Sequence, residues 1–489
     1  MSWKRFDPRL SSRSVVIYFL IAQPMLVCVY YNYVSPSRTC VSHSAGLNCT
    51  GNKPSVRAES AKLQQIDSDE IKRNESKAGA SDPLHDAGKP NPNPGPNYTI
   101  SYQKATPANY TDLFWTDSEG KCRGSSCKWP MMPGATRELV SSAPEPFEKI
   151  PLHFLENFKN PCWLRGQTDL NCLPYFYVLG MYKSGTSEIW DKITAHPDVL
   201  SKVPKEPHWW GPRRNGYTFI PIHRTEILQA RNHTGGKDDS SFEWCLNFYK
   251  ASVVPELIKT KIATKEGTNY YPKVFGEASV STAYSIGRGW IETFPYAAEP
   301  PYTNADLMHA LQPNAKFILM IRNPTKRADS FYWYLHNPGS ADQWHERVVF
   351  YTKCFQKCIQ DHNLRFCAYA ADCPYDFIPN LQVGAYHVYI RDWMKVVPRD
   401  NFKVIRLEDW QADPVTTYRD LIDFLDLRKL SVEEENTILQ RSPRNQNKRQ
   451  HEQTKPETLK LLNDFYRPFN VELGKLMGDE KYNYPDYNG

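Results

Sequence analysis

The sequence predicts an α/β protein with a central parallel sheet flanked by helices, preceded by a transmembrane helix and a disordered stem. Three observations lead there. Four short apolar runs, at 176–180, 274–277, 317–321 and 402–407, alternate with helical patterns at 306–311, 327–335, 383–396 and 417–424. Such alternation indicates parallel strands with ligands held beyond their carboxyl ends. The first run passes through a turn rich in lysine, glycine and hydroxyls into helical spacing. Ahead of all this stand one long apolar segment and a polar, proline-rich stretch. The expected boundaries are a cytosolic tail at 1–13, a spanning helix at 14–34, a luminal stem at 35–145 and a globular domain at 146–489.

The tail carries Lys4, Arg5, Arg9 and Arg13 against Asp7 alone. The 21 residues from Ser14 to Val34, at about 1.5 Å each, cover roughly the 30 Å of a bilayer core. Basic residues before the span place the tail in the cytosol, and Tyr30, Tyr31 and Tyr33 form an interfacial belt at its far end. The alternative is a cleaved signal peptide. The length of the apolar run and the lack of a small-x-small site favour a signal anchor, giving a single-pass type II membrane protein.

The stem is rich in Pro, Asn, Ser and Lys, as in Lys89-Pro90-Asn91-Pro92-Asn93-Pro94, and shows almost no apolar periodicity. N-glycosylation sequons lie at Asn48, Asn74, Asn97 and Asn109, with another at Asn232. Together they support a secretory-pathway location. A net charge of +6 over 489 residues argues against a dedicated nucleic-acid binder and suits local basic patches for anionic molecules. The 12 cysteines form no zinc pattern with histidines, so no metal site is expected. Local disulfides in an oxidising compartment fit their spacing. One cysteine lies in the apolar span and eleven elsewhere, so Cys245 or another stays unpaired.

The strand-to-helix turn reads Gly180-Met181-Tyr182-Lys183-Ser184-Gly185-Thr186-Ser187. A buried strand, a tight turn and a helix start aim backbone N–H groups and a positive dipole end at one point. Lys183 adds a mobile charge there, and Ser184, Thr186 and Ser187 add donors. The spacing is not that of a Walker A loop, because no glycine stands four residues before a Gly-Lys-Ser/Thr. A phosphate-like group held without magnesium is the expected ligand. An ordinary strand-to-helix turn has the same appearance in isolation, so its downstream partners decide.

Two such partners follow. Arg322 closes the 317–321 run, Pro324 stands where a helix begins, and Ser330 lies about two turns along it. An arginine at a strand end suits a bidentate grip on a phosphate, and Ser330 can donate to the same group. Earlier, Lys202-Val203-Pro204-Lys205-Glu206-Pro207-His208-Trp209-Trp210 sets a carboxylate between a lysine and a histidine, a candidate general base with electrostatic partners. A solvated Lys-Glu pair is the plainer reading of that stretch alone. Glu277 and Ser279 end another strand, as candidate substrate contacts.

Taken together, the Lys183–Ser187 loop, the Arg322 and Ser330 pair and the Lys205–Trp210 element resemble the Golgi carbohydrate sulfotransferase family. Gly276-Glu277-Ala278-Ser279, Gln312-Pro313-Asn314-Ala315, Arg406-Leu407-Glu408-Asp409 and 464–470 extend the likeness over roughly residues 150–475. The resemblance implies a P-loop-like sulfotransferase domain using 3′-phosphoadenylyl sulfate (PAPS) as donor, with no metal required. It assigns Lys183, Ser184, Gly185, Thr186 and Ser187 to the 5′-phosphosulfate, and Arg322 and Ser330 to the 3′-phosphate. Glu206 becomes the base with Lys205 and His208 beside it. A basic loop carrying Lys448 and Arg449 closes over the nucleotide. Cys358 and Cys367 match a family pair, with Cys354 and Cys373 available to bridge around them. Ser187 departs from the common Lys-x-Gly-Thr-Thr form but keeps a hydroxyl.

The expected reaction moves a sulfuryl group from PAPS to a glycosaminoglycan hydroxyl, C6 of GalNAc 4-sulfate in chondroitin or dermatan sulfate. Lys202, Arg213 and Arg214 are then candidates for holding the acceptor's existing sulfate, or else a solvated face. A heparan sulfate or other glycan O-sulfotransferase is the alternative within the class, and a secretory-pathway kinase the alternative outside it. The location implied is the Golgi membrane with the catalytic domain luminal. The reading leaves room for a homodimer.

Overall fold

The computed structural model describes residues 132–489 apart from 133, 212, 216–240, 265–266, 288, 336–338, 371–372, 374–379 and 443–450. The tail, the apolar segment 14–34, all five sequons, and Lys448 and Arg449 therefore lie outside the described residues. Among the described residues no helix is long and apolar enough to cross a membrane.

Chain order begins with an antiparallel hairpin, β1 (Cys162–Arg165) and β2 (Asp169–Cys172), closed by a Cys162–Cys172 disulfide between register partners. Next comes β3 (Phe176–Gly180), buried at all five positions. A small hairpin, β4 (Ile262–Ala263) with β5 (Asn269–Tyr270), precedes β6 (Gly276–Ala278), β7 (Lys316–Ile321) and β8 (Phe402–Arg406). The central sheet has the order β6-β3-β7-β8 with every pairing parallel. Parallel strands are covered on both faces, so they read as continuous apolar runs without alternation. Phe-Tyr-Val-Leu and Phe-Ile-Leu-Met-Ile are such runs.

The four expected strands are thus present, with their ends adjusted by local chemistry. Val274, the expected start of the second, instead makes an isolated parallel bridge to Val199, and the strand proper begins at Gly276. The fourth stops at Arg406 because Leu407 opens a helix, Leu407–Ala412. Helices start earlier than apolar periodicity suggests, since capping residues lie outside the apolar stripe. Helix α2 (Pro324–Leu335) begins on a proline whose fixed φ suits a first turn. Helix Pro414–Phe424 likewise opens on proline, with the Asp413 side chain accepting from Thr416 N–H. The 383–396 pattern splits into a 3₁₀ turn, Leu381–Gly384, and a helix, Tyr386–Val396.

The packed part of the chain also begins before residue 146, the expected start of the globular domain. Helix Arg137–Ser142 is capped by Thr136, and Leu139, Val140 and Ala143 bury in the same core as β3. Six-residue helices carry too little periodicity to stand out from a polar stem.

Helix α1 (Thr186–Thr194) follows β3 and packs Ile189, Trp190 and Ile193 onto the sheet side. The last long helix, α3 (Pro456–Met477), sets Leu462, Phe465 and Tyr466 against Trp333, Trp344, Tyr351 and Phe355. Helix Ala341–Asp361 in that cluster is tied by Cys354–Cys373 and Cys358–Cys367, the second bond reaching helix Leu364–Ala370. Cys245 is free and buried. A cavity of about 480 Å³ lined by Lys316, Arg399, Phe402, Lys403 and Phe424 lies where β7 and β8 begin, the opposite end from the residues discussed next.

Candidate active site

The Lys183 turn, Arg322 and Glu206 lie at the carboxyl-terminal edge of the sheet, near the ends of β3, β7 and β6. At the end of β3, Gly180 has φ 152° and comes so close to its neighbour that an added Cβ would lie 2.8 Å from the Val280 carbonyl oxygen. The chain then turns through Met181–Gly185 into α1. Met181 N–H donates to the Met320 carbonyl of β7 (2.7 Å), fixing the turn to the next strand. Gly185 is the N-cap, at φ 85°, and its missing Cβ leaves room that Leu407 Cδ1 would otherwise contest at 2.6 Å. Gly185 has no side chain to cap α1, and Ser184 and Thr186 are buried beside its start. An uncapped helix start ringed by hydroxyls fits a phosphate or sulfate group. The Lys183 ammonium lies 4.1 Å from the ring centroid of Tyr334, four residues after Ser330 on α2.

Arg322 follows β7, adjacent to β3. Its Nη1 donates to the Lys183 carbonyl (3.3 Å), and its own carbonyl accepts from the Tyr386 hydroxyl (2.8 Å). The next residue is held by Glu408, whose Oε1 accepts from Asn323 N–H (2.9 Å). The Asn323 side chain in turn caps α2 by accepting from Lys326 N–H (3.1 Å). The Lys183 turn and Arg322 are thus joined directly, backbone to guanidinium. Ser330 lies half-buried on α2.

On the other side of β3, Glu206 docks onto the end of β6. Its N–H donates to the Ala278 carbonyl (2.8 Å), and its Oε2 accepts from Val280 N–H (3.0 Å). Lys205 Nζ pairs with Glu206 Oε1, and His208 Nε2 lies 3.1 Å from Oε2. The imidazole Nδ1 meets the Ser281 hydroxyl at 2.7 Å, and His208 N–H donates to Ser279 Oγ (2.8 Å). A ring protonated on Nε2 satisfies both contacts, donating to the carboxylate and accepting from the serine. Burial pushes the Glu206 carboxyl up, but Lys205 and the surrounding hydrogen bonds outweigh it and leave the group below its usual range. Burial also holds His208 below the ordinary imidazole range, against the pull of Glu206. The Lys205 charge, ahead of that of His208, favours the ionised form of Glu206. The Glu206 side chain remains 23% exposed. Lys183, Glu206 and His208 have φ values of 62°, 69° and 56°. Three non-glycine residues in the left-handed region mark backbone held in place by its surroundings, as at functional sites.

The expected acceptor contacts fare differently. Lys202 pairs with Glu256 on an exposed surface (3.0 Å). Arg213 is fully buried, its guanidinium 4.3 Å from the Trp244 ring centroid and its Nε donating to the Pro207 carbonyl. Arg214 is half-buried and donates to Asn304 Oδ1 (3.1 Å); burial brings its guanidinium down to about 10. Glu277 and Ser279 are each 1% exposed, so neither offers a surface to a polymer. Trp209 and Trp210 are likewise core residues. Local sequence could not separate them, because charge and hydroxyl content do not reveal which side of a turn faces solvent. Ser281 and Tyr386 were missed; a second hydroxyl in Ser279-Val280-Ser281 was the available signal for the first.

A parallel sheet with an uncapped strand-to-helix turn, a joined arginine and a flanking carboxylate defines a class, and the comparisons agree with it. Residues 174–467 match the family described as Sulfotransferase domain, and the chain belongs to that family. More particularly, Carbohydrate sulfotransferase 15 of Homo sapiens is 32% identical over 390 residues, covering 69% of this chain and 66% of that protein. The Rattus norvegicus protein of the same name is 34% identical over 389 residues, with the same coverage of 69% and 66%. Bifunctional heparan sulfate N-deacetylase/N-sulfotransferase 3 of Homo sapiens is 23% identical over 376 residues, 71% of this chain and 36% of that protein. The chain therefore spans just under two-thirds of the length of the first two relatives, at 66%.

Proposed function

We propose that the protein is a PAPS-dependent carbohydrate sulfotransferase that sulfates C6 of GalNAc 4-sulfate in chondroitin or dermatan chains. The observation that carries the reading is the joining of three groups at one sheet edge: the Lys183 turn, Arg322 bonded to it, and Glu206 one strand away. The turn suits a phosphosulfate because its glycine N-cap contributes no side chain to the helix start, beside the buried hydroxyls of Ser184 and Thr186. The likeness to Carbohydrate sulfotransferase 15 supports a carbohydrate acceptor.

In this reading Glu206 takes the proton of the sugar hydroxyl as its oxygen attacks sulfur in line. The new S–O bond forms while the bond from sulfur to the phosphate oxygen breaks, releasing adenosine 3′,5′-bisphosphate. Lys183 moves from the Tyr334 face to that leaving oxygen, where negative charge accumulates. Arg322 and Ser330 hold the 3′-phosphate. Lys205 keeps Glu206 ionised between turnovers, and His208 orients it. The Golgi lumen as location, with a type II anchor at 14–34, is supported by three disulfides among the described residues and by the sequons.

Feeding PAPS with chondroitin sulfate A or heparan sulfate and analysing the disaccharides tests the acceptor. Sulfation of C6 on 4-sulfated GalNAc is expected, and product on heparan alone would replace this acceptor with the heparan reading. Arg322→Ala is expected to raise the PAPS KM by roughly 10- to 100-fold, the loss of charge-assisted hydrogen bonds. An unchanged KM in that variant would remove Arg322 from the donor site.

A further inference from the structure

Arg322 stands just before α2, and Lys326 and Ser330 follow at steps of four residues. Positions four apart on a helix share a side, so Lys326 and Ser330 project from one face of α2, with Arg322 two residues before its start. Lys326 was no part of the expected site. Over it lies a ring from residues distant in sequence: its ammonium is 4.9 Å from the ring centroid of Tyr487.

The segment that presents Tyr487 is fixed at several points. Asn323 Nδ2 donates to the Pro485 carbonyl (2.9 Å), and Arg467 pairs with Asp486 (2.9 Å). Asn463 grips Tyr487 on both sides, donating from Nδ2 to its carbonyl (2.9 Å) and accepting its N–H at Oδ1 (3.1 Å). Asn463 is 6% exposed and is itself held by the Thr325 hydroxyl (2.8 Å) in the first turn of α2. One buried asparagine thus locks the tyrosine backbone to the helix start that carries Lys326. Among the described residues Lys326 forms no ion pair, so a ring holds its ammonium in place of a carboxylate. A ring orients a cation without neutralising it, which leaves the full charge for an arriving anion.

We propose that Lys326 is a second cation for the donor's 3′-phosphate, and that Tyr487 is the positioning residue that holds its ammonium ready beside Arg322 and Ser330. The inference rests on the sulfotransferase reading above. A dianionic phosphate met by Arg322 alone keeps half its charge uncompensated; Lys326 supplies the rest.

The test compares calorimetric dissociation constants for adenosine 3′,5′-bisphosphate and 5′-AMP in the wild type and in Lys326→Gln, Tyr487→Phe and Tyr487→Leu. The wild type is expected to prefer the bisphosphate. In Lys326→Gln that preference falls about tenfold, the scale of one charge-assisted contact, with the loss confined to the nucleotide bearing a 3′-phosphate. Tyr487→Leu lowers it by about two- to fivefold, and Tyr487→Phe, which keeps the ring, restores it. A wild type indifferent to the 3′-phosphate would instead undo the donor reading itself. A wild-type preference that survives in Lys326→Gln, or an equal loss for both nucleotides, would overturn the role of Lys326. Should Tyr487→Leu fail to fold, Tyr487→Phe decides alone: a lost preference there overturns the ring's role, and a retained one supports it.

Discussion

Glu206→Gln is expected to lower kcat by about 10²- to 10⁴-fold, the usual worth of a general base, while PAPS binding stays within about twofold of wild type. Glutamine keeps the shape and an oxygen for Val280 N–H, whose bond to Oε2 is 3.0 Å. It removes the charge that can take a proton and that Lys205 answers. Because donor grip is assigned to the Lys183 turn and Arg322 on the other side of β3, base and donor affinity separate cleanly. Steady-state turnover on chondroitin sulfate A, with bisphosphate affinity measured in parallel, checks both halves. Near-normal turnover in this variant would move the base elsewhere.

The second large effect concerns stability. Glu277 sits on β6 opposite Tyr177 of β3, at 1% exposure, with Cys245 and Tyr249 of helix Phe242–Ser252 nearby. Burial, with Glu206 close by, pushes its carboxyl up to about 8, which Ser279 and Lys205 only partly offset. The folded-state value thus exceeds the unfolded one, so the neutral acid costs nothing extra below about pH 4.5. As pH rises from there to about 8 the unfolded chain releases a proton that the folded chain keeps, and stability falls. A shift of that size corresponds to about 5 kcal/mol once pH exceeds the folded value. Tyr177, Tyr249 and Cys245 are themselves pushed well above their ordinary values by burial and stay neutral through this window. Glu277→Gln is therefore expected to flatten the fall in melting temperature between pH 5 and about pH 8. Equal slopes for variant and wild type in a thermal scan would show that Glu277 does not carry it.

Sequence alone located the sheet and set Lys183, Arg322 and Glu206 near strand ends because each depends on local pattern. Uninterrupted apolar runs mark buried parallel strands, and a glycine-lysine-hydroxyl turn marks a strand-to-helix junction. What it could not supply was sidedness. Arg213 and Arg214 are neighbours, yet one stacks inside on Trp244 and the other reaches Asn304. Glu277 and Glu206 are both carboxylates near strand ends, and only Glu206 is open to solvent. Tyr487 was invisible for another reason. Its relation to Lys326 depends on a contact across more than a hundred residues, through Asn463, that no window of sequence contains.

The close approach of Gly180 to the Val280 carbonyl also fixes the geometry across the two sides of β3. With no slack between the two backbones, the spacing from the Glu206 carboxylate, which accepts from Val280 N–H, to the Lys183 turn is set by main chain, not by adjustable side chains. Lengthening either segment would shift that carboxylate relative to the Lys183 turn.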